Sequence, residues 1–141
     1  MRAWVIAALL VAPAMAEGAG LAVRFDPEVM RVSVPWPGDV DQVRAAAQAG
    51  TVSLRWRFRI ERVRPWWRPN EELGEVELVR TIAPDLLAGG WNVEESPSGL
   101  VWHFRRLDAA LGEALNLSGI PLVERTLLQA GARYRLEVEI A

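Results

Sequence analysis

The sequence predicts a mainly β protein with two helices, of the α+β class, built as an antiparallel β-sandwich-like sheet with helical connections. Over residues 54–61 and again over 133–140, apolar and charged residues alternate one by one, the period of a strand with one buried face. Residues 39–50 and 107–115 carry apolar side chains three and four positions apart, as amphipathic helices do. Strands and helices do not alternate regularly, so a parallel Rossmann-type sheet is not expected.

Residues 1–16 have the features of a secretory signal peptide. Arg2 precedes an apolar run, and Ala14 and Ala16 supply the small residues that a cleavage site needs. The run is shorter than the roughly 20 apolar residues that span a bilayer, so we expect cleavage near Ala16 and no stable membrane insertion afterwards. The alternatives are an uncleaved anchor and a buried N-terminal strand, and cleavage is favoured over both. The expected location is periplasmic or secreted, and residues 17–141 are expected to form a single antiparallel β-rich domain.

Composition limits the classes of function. With 141 residues, 51% of them apolar, the chain can bury one core. Its net charge of −2 argues against nucleic acid as a partner. The chain has no cysteine, so neither a disulfide nor a lipid-modified cysteine is expected, and the core must hold the fold by itself.

The first half of the expected domain is predicted to contain two short strands, a helix and the most regular strand. Residues 21–25 and 30–34 are apolar runs separated by a turn signal. Asp39 is a suitable N-cap and Gly50 is placed where a helix-terminating glycine belongs, which predicts about three helical turns between them. The alternation of the next strand breaks at Glu61, which predicts a bulge or the end of the sheet.

The second half is predicted to contain a paired strand, a hairpin, a second helix and a final strand. The predicted elements are a loop over 65–74, a strand over 75–83, hairpin strands over 91–93 and 100–104, a helix over 107–115 ending at Ser118 and Gly119, a less distinct strand over 122–128 and a clear strand over 133–140. The last strand has Tyr134 and Leu136 on its apolar side, so we expect that side to face the core.

Arg55, Arg57 and Arg59 form one face of the most regular strand, and we call them the Arg face. They can dock an acidic partner, a lipid headgroup or a cell-wall polymer. They can also pair with the glutamates supplied by the next loop and strand, Glu71, Glu72, Glu75 and Glu77. Because those glutamates are adjacent in sequence, internal pairing is the favoured interpretation.

A proline-bounded loop after this strand contains Arg64, Trp66, Trp67 and Arg68. Tryptophan and arginine are enriched in the residues that dominate binding energy at protein interfaces. A pair of tryptophans can equally cover the end of a sandwich. The sequence therefore leaves a binding loop and an apolar lid as alternatives.

No combination of residues carries a catalytic signature. His103, the only histidine, is predicted to face outward, and no neighbour is indicated that would make it a general base. The adjacent acids at Glu71 and Glu72 and at Glu94 and Glu95 resemble the carboxylates of a glycosidase only superficially. With one histidine and no cysteine, we expect neither a metal site nor a cofactor.

The order of these features resembles a known family. Ala49 and Gly50 before the strand, Arg64 with Trp66 and Trp67 after it, and the leucine-rich helix around Leu111 are similar to the exported bacterial family called domain of unknown function 4390. The resemblance covers roughly residues 21–140 and implies a periplasmic or envelope location and no known activity.

The sequence thus favours a non-enzymatic envelope domain that binds another protein. Its candidate binding residues are Arg64, Trp66, Trp67 and Arg68, together with Arg55, Arg57 and Arg59. Strand addition at an exposed sheet edge is another route to binding. The alternative is a module that binds cell-wall glycan by stacking Trp66 and Trp67 on sugar rings. A small hydrolase that uses His103 or a glutamate pair is the third hypothesis.

Overall fold

The computed structural model describes residues 3–10, 17–18, 21–129 and 132–141, with the backbone alone for the first two ranges. The expected cleavage residues Ala14 and Ala16 lie outside the described residues. The elements in order are β1 (Ala3–Leu10), β2 (Glu17–Gly18), β3 (Leu21–Phe25), β4 (Val29–Val34), α1 (Val40–Ala49), β5 (Val52–Arg62), β6 (Glu71–Pro84), β7 (Trp91–Ser96), β8 (Val101–Phe104), α2 (Leu107–Leu115), β9 (Leu117–Glu124), a 3₁₀ turn (Arg125–Leu127) and β10 (Arg133–Ile140).

The strands form two antiparallel sheets that share one core. The larger sheet has the order β1-β10-β5-β6-β7-β8, and the smaller has the order β2-β3-β4-β9. The sheets contact each other where β9 passes β6, and buried residues from both belong to a single apolar cluster. The predicted mainly β, antiparallel α+β architecture with two helices is confirmed.

Strand β5 lies inside the larger sheet, between β10 and β6. Its apolar side chains are buried as the alternation predicts, namely Leu54, Trp56, Phe58 and Ile60. Burying a side chain of this size contributes roughly 1.5 to 3 kcal/mol, which outweighs any single charge pair on the outer face and fixes the register. The register shifts between Ile60 and Glu61, where the pattern predicted a bulge or the end of the sheet, and the extra residue is Leu73 on β6.

The two helices pack on each other and cover the half of the larger sheet that contains β5 to β8. The N-terminus of α1 is capped by Asp39, whose Oδ1 accepts a hydrogen bond from the Asp41 amide at 2.9 Å. Its C-terminus is closed by the Gly50 amide, which donates to the carbonyls of Ala46 and Ala47. Among the described residues, no helix is long and apolar enough to span a bilayer.

The structure differs from the prediction at several element boundaries. Strand β6 begins at Glu71, because Glu71 pairs across the sheet with Arg62 and their side chains form an ion pair of 3.3 Å. Helix α2 ends at Leu115, before the predicted stop at Ser118, and β7 extends to Ser96 where it was predicted to end at residue 93. Strand β9 spans Leu117–Glu124 where 122–128 was predicted, and residues 125–127 form a 3₁₀ turn. Its glycine and proline make β9 a poor match to the alternating pattern, although both residues are tolerated in an edge strand.

Candidate functional site

The Arg face points away from the core and is paired internally. Arg57 donates to Glu77 at 3.0 Å and lies 3.4 Å from Glu75, both on β6. Arg59 donates to Glu137 on β10 at 2.6 Å, and Arg55 lies 3.4 Å from Glu77. The structure therefore pairs Arg55 and Arg57 with the glutamates of the next strand, as predicted, and pairs Arg59 with a glutamate of β10, which was not predicted.

These ion pairs change the electrostatics of the face. The hydrogen bond that Arg57 donates to Glu77, followed by the charge of Glu77, raises the pKa of Arg57, and Glu137 raises the pKa of Arg59 in the same way. A depression of about 170 Å³ on this face is lined by Arg57 and Arg59 together with Glu75, Glu137 and Glu139. Because both signs of charge line it, the face does not concentrate a field of one sign.

The loop between β5 and β6, residues 63–70, has a fixed base and an exposed tip, and we call it the Trp loop. The Arg64 amide donates to Asn70 Oδ1 at 3.1 Å, and the Arg64 guanidinium bonds Glu71 at 2.6 Å. At the tip, the Arg68 amide donates to the Pro65 carbonyl at 2.9 Å. The ends of the loop are thus joined to each other and to β6.

The two indole rings at the tip of the Trp loop are in solvent. Trp66 is 96% exposed and Trp67 is 64% exposed. The Arg68 guanidinium lies over the Trp67 ring, 5.4 Å from its centroid. Neither ring belongs to the apolar core cluster of the described residues, so the alternative in which the pair covers the sandwich does not match this geometry.

A polar cluster that sequence reasoning missed surrounds His103. Its Nδ1 lies 2.8 Å from Asn92 Oδ1 and 3.5 Å from Asp85 Oδ2. Asn92 also donates to Asp85 at 3.2 Å. The contact between His103 and Asn92 could have been predicted from the hairpin register, which places these two residues opposite each other.

Asp85 is held by the turn that follows β6. Its Oδ1 accepts hydrogen bonds from the amides of Leu87 and Ala88, both at 3.0 Å. These backbone bonds, from Ala88 and then Leu87, lower the pKa of Asp85, and His103 adds a smaller effect in the same direction. Asp85 is therefore a turn-stabilising acceptor that also orients the Asn92 amide.

The Arg face, the Trp loop and the His103 cluster all lie in the part of the chain that matches a known family. A family model described as "Domain of unknown function (DUF4390)" matches residues 39–141, which include the Arg face, the Trp loop and the His103 cluster. The chain belongs to the DUF4390 family. The resemblance noted in the sequence is therefore confirmed. Neither the curated proteins nor the solved structures gave a match to this chain.

In this DUF4390 chain, His103 contacts an amide and a carboxylate in the part of the chain that the structure describes. Among the described residues, the polar contacts of His103 are with Asn92 and Asp85, and neither is a hydroxyl or thiol nucleophile. The described residues also contain no group of three or more histidines, cysteines or acids that could hold a metal ion. The arrangement can orient an imidazole, and the group of opposite charge beside it is the Asp85 carboxylate, which the turn after β6 already holds.

The adjacent glutamates of this DUF4390 chain are not arranged as catalytic pairs. Both pairs lie within strands, where neighbouring side chains point to opposite faces. Glu71 is bound by Arg62 and Arg64, and Glu95 is buried against Arg80 at 2.9 Å. Two carboxylates that flank one glycosidic bond must converge on it, and these do not.

The lowered pKa of Asp85 predicts a pH dependence of stability in this DUF4390 chain. A carboxyl group whose pKa is lower in the folded state stabilises the fold at pH values above its ordinary pKa of 3.8. That contribution disappears as the pH falls through the lower, folded value. We expect the urea midpoint of Asp85→Asn to decrease less between about pH 6 and pH 2 than that of the unmodified chain.

His103→Ala is the control for this measurement. It leaves the Leu87 and Ala88 amides bonded to Asp85, which are the two largest causes of the shift. We therefore expect it to retain most of the acid-dependent decrease. If the urea midpoints of Asp85→Asn and of the unmodified chain decrease equally on acidification, the lowered pKa of Asp85 is contradicted.

Proposed function

We propose that this chain is an exported, non-enzymatic envelope protein that binds another protein through the Trp loop. The observation that carries the proposal is the exposure of Trp66 and Trp67, at 96% and 64%, on a loop whose base is fixed by hydrogen bonds and an ion pair. A fixed loop loses little conformational entropy on binding, and tryptophan supplies a large contact area for few rotatable bonds.

The proposal assigns the Arg face a lesser role than the Trp loop. A partner that used Arg55, Arg57 and Arg59 would have to compete with the glutamates that already bind them. Exposed charges of this kind influence the rate and orientation of association more than its affinity. Export is supported by the signal-peptide features of residues 1–16, and the absence of cysteine is compatible with an oxidising compartment.

A cell-wall glycan is the second candidate for the Trp loop. The exposed Trp66 ring can stack on a sugar, which favours this alternative. One face of Trp67, however, is covered by the Arg68 guanidinium, so the two rings do not form one open platform. A hot spot of tryptophan beside arginine fits a protein surface better.

Photo-crosslinking in the native envelope tests the proposal. A photoreactive amino acid in place of Trp67 is expected to give one discrete protein adduct, identified by mass spectrometry. The matched control is Leu87, which is 100% exposed on the turn between β6 and β7 and is expected to give no such adduct. Adducts of equal pattern from both positions, or none from position 67, would contradict the proposal. Retention on purified sacculi without a protein adduct would instead support the glycan alternative.

Removal of both indoles is expected to abolish binding without loss of stability. Exposed side chains contribute little to folding, so Trp66→Ala with Trp67→Ala should change the free energy of unfolding by about 0.5 kcal/mol or less. Residues at the centre of an interface typically contribute about 2 kcal/mol or more, which corresponds to at least roughly a thirtyfold loss of affinity. Binding is measured with the partner identified by crosslinking, and Leu86→Ala with Leu87→Ala is the control. A partner that binds the Trp-loop variant normally would exclude the loop as its site.

A further inference from the structure

Strand β10 has a different neighbour on each side. On one side it pairs with β5, from Tyr134 opposite Arg62 to Ile140 opposite Trp56. On the other side it pairs with β1, which lies entirely within residues 1–16. If that segment is removed on export, as proposed above, the β1 side of β10 becomes a sheet edge.

The hydrogen bonds identify which groups this edge would leave unpaired. Ala141 and Arg55 exchange two backbone hydrogen bonds of 2.9 Å, so the amide and carbonyl of Ala141 point toward β5. Because these directions alternate along a strand, the backbone groups of Tyr134, Leu136, Val138 and Ile140 point toward β1. Removal of β1 exposes these four donors and four acceptors in one row.

The other sheet edges in the described parts of the chain are protected against pairing with a further strand. Strand β8 has four residues and β2 has two. Strand β9 contains a proline at position 121, and its pairing with β4 has two register shifts. By contrast, β10 has eight residues, contains neither glycine nor proline, and pairs without a register shift. A long, regular edge of this kind recruits another strand.

The charges along β10 match a second copy of the same strand. Its outer face has the order Arg133, Arg135, Glu137, Glu139. When two copies are antiparallel with Leu136 on the twofold axis, Arg133 lies opposite Glu139 and Arg135 lies opposite Glu137. A shift of one residue pair in either direction places Arg135 against Arg135 or Glu137 against Glu137. The charges therefore select one register.

The same register satisfies the backbone and the apolar face. Leu136 meets Leu136, and Tyr134 meets Val138, so large apolar side chains remain beside each other on the core side. All of these residues belong to the set whose backbone groups face the vacated edge, so each opposed pair can exchange two hydrogen bonds. We propose that the processed chain forms a twofold dimer through β10, joining the larger sheets of two copies. This inference rests on the proposed export.

The first measurement is the oligomeric state of the chain isolated from the envelope, with its N-terminus determined by mass spectrometry. A chain that begins after residue 16 is expected to sediment as a dimer, and the unprocessed chain as a monomer because β1 occupies the edge. If residues 1–16 are still present on the isolated protein, both the proposed cleavage and the dimer are overturned. A processed chain that is monomeric would overturn the dimer alone.

A charge exchange tests the interface itself. Arg133→Glu and Glu139→Arg each place like charges opposite one another at both ends of the dimer, and each is expected to weaken dimerisation about tenfold. An equimolar mixture of the two variants again has opposite charges at both ends and is expected to form heterodimers of normal affinity. This rescue would not follow from a defect in folding.

Glu139→Arg removes the ion pair of 3.8 Å between Glu139 and Arg57, while the shorter ion pairs of this face remain. Glu137 keeps both Arg59 at 2.6 Å and Arg135 at 2.9 Å, and Arg57 keeps Glu77 at 3.0 Å. Circular dichroism confirms that each variant is folded before it is mixed. Dimerisation that neither variant weakens, or that mixing does not restore, would overturn the β10 interface. A photoreactive amino acid at position 135 gives a further test, and a crosslink to a different envelope protein in place of a second copy would also overturn the β10 interface.

Discussion

Replacement of Trp56 by alanine is expected to lower the free energy of unfolding by about 3 to 5 kcal/mol. The ring is 0% exposed and contacts Trp36 edge-to-face, with centroids 6.1 Å apart and planes at 73°. Trp56 stands between Leu78 on β6 and Ile140 on β10, in the interior of the larger sheet. Because strands on both sides constrain the backbone, the cavity cannot collapse completely, and the lost packing adds to the lost burial.

Urea denaturation at fixed pH measures this effect, and two variants serve as controls. Trp56→Phe keeps an aromatic ring and removes an indole nitrogen that has no hydrogen-bond partner in the described part of the chain. We expect it to cost less than about 1.5 kcal/mol. Arg55→Ala, one residue away on the exposed face, should change stability by at most about 1 kcal/mol. A cost for Trp56→Ala no larger than that for Arg55→Ala would contradict the role of Trp56 in the core.

The sequence predicted the strands whose two faces differ most. In β5 and β10 every second residue is large and apolar, and those residues are buried. The alternation shows which face is buried and cannot show which strand lies alongside. For this reason only the structure shows that β10 lies beside β5. This pairing brings together residues that are 78 positions apart in the sequence, such as Arg59 and Glu137. Strand β9 was misplaced because its glycine and proline interrupt the pattern.

In the candidate site, too, the sequence predicted contacts between residues that are close in the chain and missed those between distant strands. Glu75 and Glu77 were expected as partners of the Arg face because they follow it in the chain, whereas Glu137 and Glu139 come from β10 and were not. The sequence indicated that the Trp loop leaves regular structure at a proline. It could not determine whether the indoles turn inward or outward, because that depends on how well β5, β6 and the opposite sheet already fill the core.

The Arg face and the Trp loop differ in whether their side chains already have partners within the fold. The Arg face is held by glutamates of β6 and β10, so its cations are matched within the sheet. The exposed aromatic surface of the Trp loop is instead attached to a base that its own hydrogen bonds hold in place. Recognition by shape and apolar contact at that loop is therefore separable from the electrostatics of the sheet, and variants of one can be tested without disturbing the other.

A buried ion pair between β6 and β7 is the second site where a large effect is expected. Arg80 and Glu95 are opposite each other in the sheet and bond at 2.9 Å, with side chains 6% and 10% exposed. The Arg80 guanidinium also donates to the Glu113 carbonyl of α2 and lies 5.3 Å from the centroid of Trp102. Ser98 donates to the other oxygen of Glu95 at 2.8 Å. The pair therefore joins the sheet, the hairpin and α2.

Removal of one partner leaves a buried charge without compensation. We expect Glu95→Leu and Arg80→Met each to lower the free energy of unfolding by about 3 to 5 kcal/mol. The double variant Arg80→Met with Glu95→Leu leaves no charge to desolvate, and it should be close to neutral, within about 1 to 2 kcal/mol of the unmodified chain. Urea denaturation of the four proteins gives a double-mutant cycle, and strictly additive losses would contradict this account.

The exposed pair of Arg57 and Glu77 is the matched control, because it also joins neighbouring strands at 3.0 Å but lies in solvent. Its removal should change stability by at most about 1 kcal/mol.

The double variant at Arg80 and Glu95 also tests whether the buried ion pair affects binding at the Trp loop. Because the pair is buried beneath α2 and the Trp loop is held by its own contacts, a folded double variant should give the same adduct from position 67 as the unmodified chain. Loss of that adduct in a protein of normal stability would mean that the β6–β7 region, including Glu95, takes part in binding.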